Sequence, residues 1–195
     1  MAGTPRFYVW TADSSGSRVC VLLGLAGVPD DFDLDGPGPV AARFGSEAYF
    51  PMDPDHPDDD RLADVLHTSD AYAVVSSRVR ARLKQEAPDD LEFLPVRIVG
   101  HDGAVAAADY FIARPTAVVD GIDLDASDVE RHPADPSQIS CVDELVLRPD
   151  AVGERKAFRL LGLPRFTVVS DALARACEEA GFSGLRLVPV ESFEL

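Results

Sequence analysis

Carboxylates dominate the side chains that could do chemistry, and they fall in two clusters. The first, Asp53, Asp55, Asp58, Asp59 and Asp60, is interleaved with Pro54, His56 and Pro57 and has the oxygen density that a hard cation requires. It lacks the central glycine of a calcium loop and the distant glutamate that closes one, so it reads as a solvated acidic face that meets a basic partner. The second, Asp120, Asp123, Asp125 and Asp128 around Gly121 and Ser127, also offers closely spaced oxygens and a turn glycine. A capped turn explains it more simply, because Asp and Ser side chains accept nearby backbone N–H groups and end the strand before them. Asp120, Asp123 and Ser127 are therefore expected to hold structure. His56, His67, His101 and His132 lie in separate segments with no i, i+4 pair and no Cys-x-x-Cys beside them, which gives zinc no ligand set. Cys141 with His132 could pair a nucleophile with a base. Cys141 stands in the apolar run Ser140-Cys141-Val142-Asp143-Glu144-Leu145-Val146-Leu147, however, where a buried, inert thiol is expected. No Gly-x-Ser-x-Gly elbow, phosphate loop or dinucleotide fingerprint occurs, and Gly36-Pro37-Gly38-Pro39 is a turn. No catalytic residue, metal or cofactor is expected from these patterns; a small hydrolase or transferase using an Asp or His as general acid and base is the competing reading.

Composition narrows the partners. The chain has 195 residues, 46% hydrophobic and 27% charged, which suits one globular domain or two small, closely packed ones. Its 18 Lys and Arg face 34 Asp and Glu, a formal charge of −16. Nucleic acid and anionic membrane surfaces would repel it, whereas a basic protein would be attracted. The longest apolar run, Val19 to Val28, is interrupted by Gly24 and Gly27 and falls far short of the roughly 20 residues that cross a bilayer. It is expected to be a buried strand or helix and not a secretion signal. Cys20, Cys141 and Cys177 are odd in number and set among apolar neighbours, the pattern of reduced thiols, which predicts a cytoplasmic location.

The positioning elements follow from periodicity and punctuation. Phe7 to Trp10 reads as a strand and Ser14 to Ser17 as a turn. Residues 29 to 60, rich in Pro, Gly and Asp, read as a mobile acidic surface with at most short elements near Val40 to Phe50. Ala71 to Val75 reads as a strand. Ser76 then caps a helix that buries Val79 and Leu83 and stops at Pro88, leaving the basic run Arg78, Arg80, Arg82 and Lys84 mostly on the solvent side. Further strands are expected at Leu91 to Val99, with Pro95 at an edge or bulge, and at Asp109 to Arg114, Ile139 to Leu147, Ala157 to Leu161, Phe166 to Val169 and Leu185 to Val190. Ser170 caps a second helix, with Leu173, Cys177 and Ala180 on its apolar face and Gly181 at its end. The fold class is α+β: a mixed or antiparallel sheet with two short Ser-capped helices. Two regions are expected, an N-terminal strand with an acidic loop-rich stretch over 1–69 and an α+β domain over 70–195.

An internal strand–helix–strand repeat is suggested by self-alignment. Residues 74 to 99 set against 168 to 193, at a constant offset of 94 and without gaps, match Val74-Val75-Ser76 to Val168-Val169-Ser170 and Pro95-Val96 to Pro189-Val190. The buried helix positions coincide as well, Val79 with Leu173 and Leu83 with Cys177.

Several segments carry a family resemblance. They are Val74-Val75-Ser76 with its helix, Phe93-Leu94-Pro95-Val96, Asp109-Tyr110-Phe111, Val119-Asp120-x-x-Asp123-x-x-x-Ser127, Ile139 before Leu145-Val146-Leu147, Phe158-Arg159-Leu160, Val169-Ser170-Asp171 with its helix, and Gly181-Phe182-Ser183-Gly184-Leu185. In this order they resemble the eleventh immunity-protein family of bacterial polymorphic toxin systems. The resemblance covers about residues 70 to 195 and leaves the acidic loop as peculiar to this chain. It implies a cytoplasmic inhibitor, not an enzyme, that binds and neutralises a toxin encoded beside it. Toxins paired with the family are often predicted nucleases, whose basic phosphate cleft an acidic protein can occupy by electrostatic complementarity.

Overall fold

Serine hydroxyls start both long helices. In the computed structural model, which describes residues 6–13, 18–29 and 32–195, Ser76 Oγ accepts the Val79 N–H at 3.4 Å and Ser170 Oγ accepts the Leu173 N–H at 3.4 Å. Helix α1 runs Ser77–Glu86 and helix α3 runs Asp171–Ala180; Gly181, left-handed at φ 62°, ends the second. Each buries the face its periodicity marks, Val79 and Leu83 in one, Leu173 and Cys177 in the other. A third helix, α2, is the single turn Pro149–Val152.

The strands are β1 (Phe7–Ala12), β2 (Val21–Leu22), β3 (Tyr49–Pro51), β4 (Val65–Thr68), β5 (Val74–Ser76), β6 (Leu91–Val99) and β7 (Val105–Pro115). They continue with β8 (Val118–Val119), β9 (Asp128–His132), β10 (Asp135–Glu144), β11 (Ala157–Leu160), β12 (Leu163–Ser170) and β13 (Leu185–Pro189). They form two mixed sheets and a ribbon: a first sheet ordered β2-β4-β5-β7-β6-β3, a second ordered β13-β1-β12-β11-β8, and the antiparallel pair β9 and β10. The α+β class holds, with two sheets where one was expected. Pro95 sits where β6 has a single neighbour, since β3 joins only at Arg97 to Val99. Strands from before residue 70 join both sheets: β1 is an inner strand of the second, and β2, β3 and β4 belong to the first. The turn expected over Ser14 to Ser17 lies outside the described residues.

Strand for strand, the two sheets have the same pairing. Phe111 of β7 lies opposite Val75 and Pro95, and Tyr8 of β1 lies opposite Val169 and Pro189, so the middle strand meets partners that are 94 residues apart. The correspondence continues outward, with Val65 and Leu66 on β5 as Ala157 and Phe158 are on β12. It ends at parallel edge strands, where Val21 pairs with His67 and Val118 pairs with Arg159. Strands β2, β4, β5, β7 and β6 thus correspond to β8, β11, β12, β1 and β13. The N-terminal strand takes in the second sheet the place that β7 takes in the first.

Both faces of each sheet are covered. Val75, Val169, Trp10, Ala113, Val79, Leu83, Leu173 and Cys177 share one core that both sheets and both long helices enclose. The opposite face of the first sheet, with Val74, Leu94, Val96 and Ile112, packs under residues 19–48 and buries Leu34 and Val40. The opposite face of the second, with Val9, Phe158 and Val168, packs under residues 119–152 and the C-terminal Phe193. Leu34, Val40, Ala48, Phe50 and Met52 correct the expectation of a mobile surface over 29 to 60, because these five of its described residues are core. A second correction concerns Cys141, which is half-buried because β10 belongs to the two-stranded ribbon and not to a sheet covered on both faces.

Asp64 ties this junction together. Its carboxylate accepts Ser76 Oγ at 2.9 Å, the Ser183 N–H and Oγ at 3.1 Å each, and Arg78 Nη1 at 2.9 Å, joining the start of α1 to the Phe182–Gly184 turn. Gly184 (φ 75°) permits that turn, since a Cβ there would stand 2.3 Å from the Val65 carbonyl oxygen. Arg78 also lies over the Phe182 ring at 4.9 Å, and Arg80 over Phe111 at 4.2 Å, so these two members of the basic run pack on aromatic rings. Burial works to raise the Asp64 pKa, but the Ser183 and Ser76 hydrogen bonds and the Arg78 charge outweigh it and hold the carboxyl below its ordinary value. A carboxyl lowered in the folded state stabilises above the unfolded value of about 3.9 and stops doing so as pH falls through the folded one. Asp64→Asn should therefore cost about 1–3 kcal/mol at pH 7, and the gap to the parent should narrow below about pH 4, as read by urea melts across pH.

Candidate functional site

The first acidic cluster is built of turns. Asp53 Oδ1 accepts the Asp55 N–H at 3.0 Å, and the His56 and Asp59 N–H groups close further turns onto the Asp53 and His56 carbonyls. Arg18 then pins the loop, donating from Nε to the Asp58 carbonyl at 2.9 Å and pairing Nη2 with Asp60 Oδ1 at 2.8 Å. On its other side His101 Nε2–H, at the tip of the β6–β7 hairpin, donates to the Asp59 carbonyl at 3.2 Å. The structure thus gathers Asp53, Asp55, Asp58, Asp59 and Asp60 on one surface loop, with Asp55, Asp58 and Asp60 exposed. Among the described residues a single ion pair, that from Arg18 to Asp60, touches the five carboxylates.

The second cluster lies on the far sheet, separate from the first. Asp123 Oδ1 accepts the Asp125 and Ala126 N–H groups at 3.2 and 3.3 Å, and the Ser127 hydroxyl both accepts the Val146 N–H at 2.9 Å and donates to the Val146 carbonyl. Asp120 pairs with Arg148 at 3.2 Å. These contacts bind the residues after β8 to those leading into α2. No group of three or more His, Cys, Asp or Glu side chains is gathered for a metal among the described residues.

Sequence reasoning passed over the most buried charges among the described residues. Arg114, on β7, and Arg159, on β11, are 3% and 2% exposed, and both reach into the Leu34–Gly38 loop. Arg114 donates from Nε to the Leu34 carbonyl at 2.7 Å, from Nη1 to the Gly38 carbonyl at 2.7 Å, from Nη2 to the Gly36 carbonyl, and pairs with Glu92. Arg159 donates to the carbonyls of Pro115 at 3.0 Å, Leu34 at 3.2 Å, Asp35 at 3.1 Å and Gly36 at 2.9 Å. Glu92 also receives the Val40 and Ala41 N–H groups at 2.9 and 3.0 Å. Burial, together with the neighbouring Arg114 charge, brings Arg159 down to about 10, still protonated at neutral pH. The available signal was an Arg framed by apolar residues in each strand, beside a Gly-Pro-Gly-Pro loop whose prolines carry carbonyls and no N–H.

The family model described as Immunity protein family (Imm11) matches residues 33–192, most of the chain. The chain belongs to the Imm11 family. No curated protein matches it. The match begins beside the arginine-bound loop and so reaches further toward the N-terminus than the expected span of about 70 to 195. In this Imm11 member no helix among the described residues is long and apolar enough to cross a membrane. Two of its thiols are unsuited to nucleophilic work: burial pushes Cys20 up to about 11 and Cys177 up to about 12, so both are neutral at physiological pH. His132 and Cys141 both lie in the β9–β10 ribbon, where His132 stands opposite Asp135 and Cys141 opposite Glu130, so the two are not cross-strand partners.

Glu92→Gln tests the buried charges. It leaves the Arg114 guanidinium desolvated without its carboxylate, and should destabilise the protein by about 3–5 kcal/mol. Denaturant titration checks it, and in an Arg114→Met background the same change should cost much less.

Proposed function

We propose that this chain binds a cognate protein toxin encoded nearby and neutralises it in the cytoplasm, without catalysis of its own. The partner is cationic and of the nuclease type, and the contact surface includes Asp53, Asp55, Asp58, Asp59 and Asp60. The observation that carries the reading is the one loop on which five carboxylates stand with one paired cation, on a chain of net charge −16. Hydrogen bonds to Asp53 Oδ1 and from Arg18 hold the loop's backbone, so it needs little ordering when a partner arrives. A nuclease must keep a basic cleft for phosphates, and a preformed acidic loop supplies matching charge at a standard interface of about 800 Å² per partner. Asp120, Asp123 and Ser127 serve stability in this reading, because their polar atoms are engaged with nearby backbone groups and Arg148.

Co-purification with the product of the adjacent reading frame, followed by calorimetry at two salt concentrations, tests the proposal: tight binding that weakens with salt is expected, and no binding overturns it. Replacing Asp58, Asp59 and Asp60 together by Asn should slow association about tenfold at low salt and flatten its salt dependence, with the thermal midpoint shifted by no more than the loss of one exposed ion pair. Stopped-flow mixing reads both quantities. Asp123→Ala should do the reverse, lowering stability by about 1 kcal/mol in urea melts while leaving toxin affinity within about twofold.

A further inference from the structure

Two equivalent sheets around one shared core leave two equivalent clefts between them, and one of the two is already filled. The register that matches Trp10 to Ala113, Thr11 to Arg114, Ala12 to Pro115 and His67 to Arg159 also matches the hollow beside β1 and β4 to the hollow beside β7 and β11. Beside β7 and β11, Leu34 enters with its loop, Arg114 and Arg159 take the loop carbonyls, and about 10 Å³ of space remains. Beside β1 and β4 no such loop lies among the described residues, and a largely apolar cleft of about 100 Å³ opens to the surface between Trp10, Ala12, Thr68, Tyr72 and Phe166. Trp10 forms one wall of it and is 5% exposed.

Size and chemistry narrow the occupant. Small-molecule sites run to roughly 300–1,000 Å³, so this cleft is too small for a metabolite or cofactor and suits one apolar side chain. In the filled cleft the chain itself shows what such a surface accepts: a bent loop that inserts Leu34 and turns its carbonyls to side-chain donors. We propose that the open cleft is a docking seat for a loop of the toxin, which inserts one apolar side chain between Trp10, Tyr72 and Phe166 as Leu34 enters the equivalent cleft. The inference rests on the immunity reading and names a contact for it apart from the acidic loop. Charge then steers the encounter, and the seat supplies a desolvated anchor of the kind that slows dissociation.

The chain contains one tryptophan, so 5-fluorotryptophan labels Trp10 alone and fluorine NMR reads the cleft directly. Adding the adjacent gene's toxin should move the Trp10 resonance. Ala12→Leu, which fills the cleft from within as Leu34 fills its counterpart, should weaken binding about tenfold while keeping the thermal midpoint of the parent. A complex that forms with an unmoved resonance and with parental affinity for this variant overturns the seat and leaves the immunity reading standing. Failure to bind the toxin at all overturns both. A resonance that moves with the chain's own concentration, with dimers in sedimentation, assigns the cleft to a second copy and overturns the proposal.

Discussion

Two guanidiniums buried beside each other impose the strongest constraint on this molecule. Arg114 pairs with one carboxylate, Glu92, and Arg159 with none, so both must find their other acceptors among main-chain carbonyls. The Leu34–Gly38 loop is suited to that task because Pro37 removes a competing donor, Gly38 takes a positive φ of 77°, and Gly36 leaves room for the Asp33 carboxylate that accepts its N–H. Packing follows from the same contact: once the carbonyls are taken, Leu34 and Val40 have nowhere to lie but in the core of the first sheet. A segment of proline, glycine and aspartate thereby becomes a structural wedge between sheets. Removing a desolvated ion-pair member leaves its partner uncompensated, so the wedge and the arginines stand or fall together.

The second organising feature is correspondence between the sheets. Equal registers on both sides of a helix-covered core let α1 and α3 bury equivalent residues, Val79 beside Leu173 and Leu83 beside Cys177, in one cluster. Differences between the halves are then informative. His67 stands where the other half has Arg159, and Thr11 where it has Arg114, so one cleft draws in a loop and the other does not. The same backbone geometry is used once to stabilise the fold and once to present an open surface.

Stability and charge are separated in space. The groups that hold the fold, Asp64, Glu92, Asp123 and the two arginines, have their polar atoms taken by named partners, and the surplus acid stands outside them on loops such as 53–60. That separation lets the surface carry a net charge of −16 without exposing the core's hydrogen bonds to substitution at the surface. It also matches recognition by an immunity protein, in which long-range attraction and a local anchor can be varied independently.

Local rules made much of the architecture legible. Ser76 and Ser170 mark helix starts because a hydroxyl in that position accepts an orphan N–H, and Val79, Leu83, Leu173 and Cys177 mark buried faces through helical spacing. The strands from Phe7, Leu91 and Leu185, the edge position of Pro95, the turn chemistry of Asp123 and the overall charge are likewise properties of short stretches or of the whole composition. What no stretch contains is the pairing of distant segments. That there are two sheets, that β1 completes the second, that Cys141 lies on an exposed ribbon, and that the Gly-Pro loop ends on two buried arginines were decided only by the tertiary structure. The physical reason is that the desolvation of Arg114 and Arg159 is tolerable only with carbonyls about 80 and 125 residues away in the chain, an arrangement that neither spacing nor propensity records.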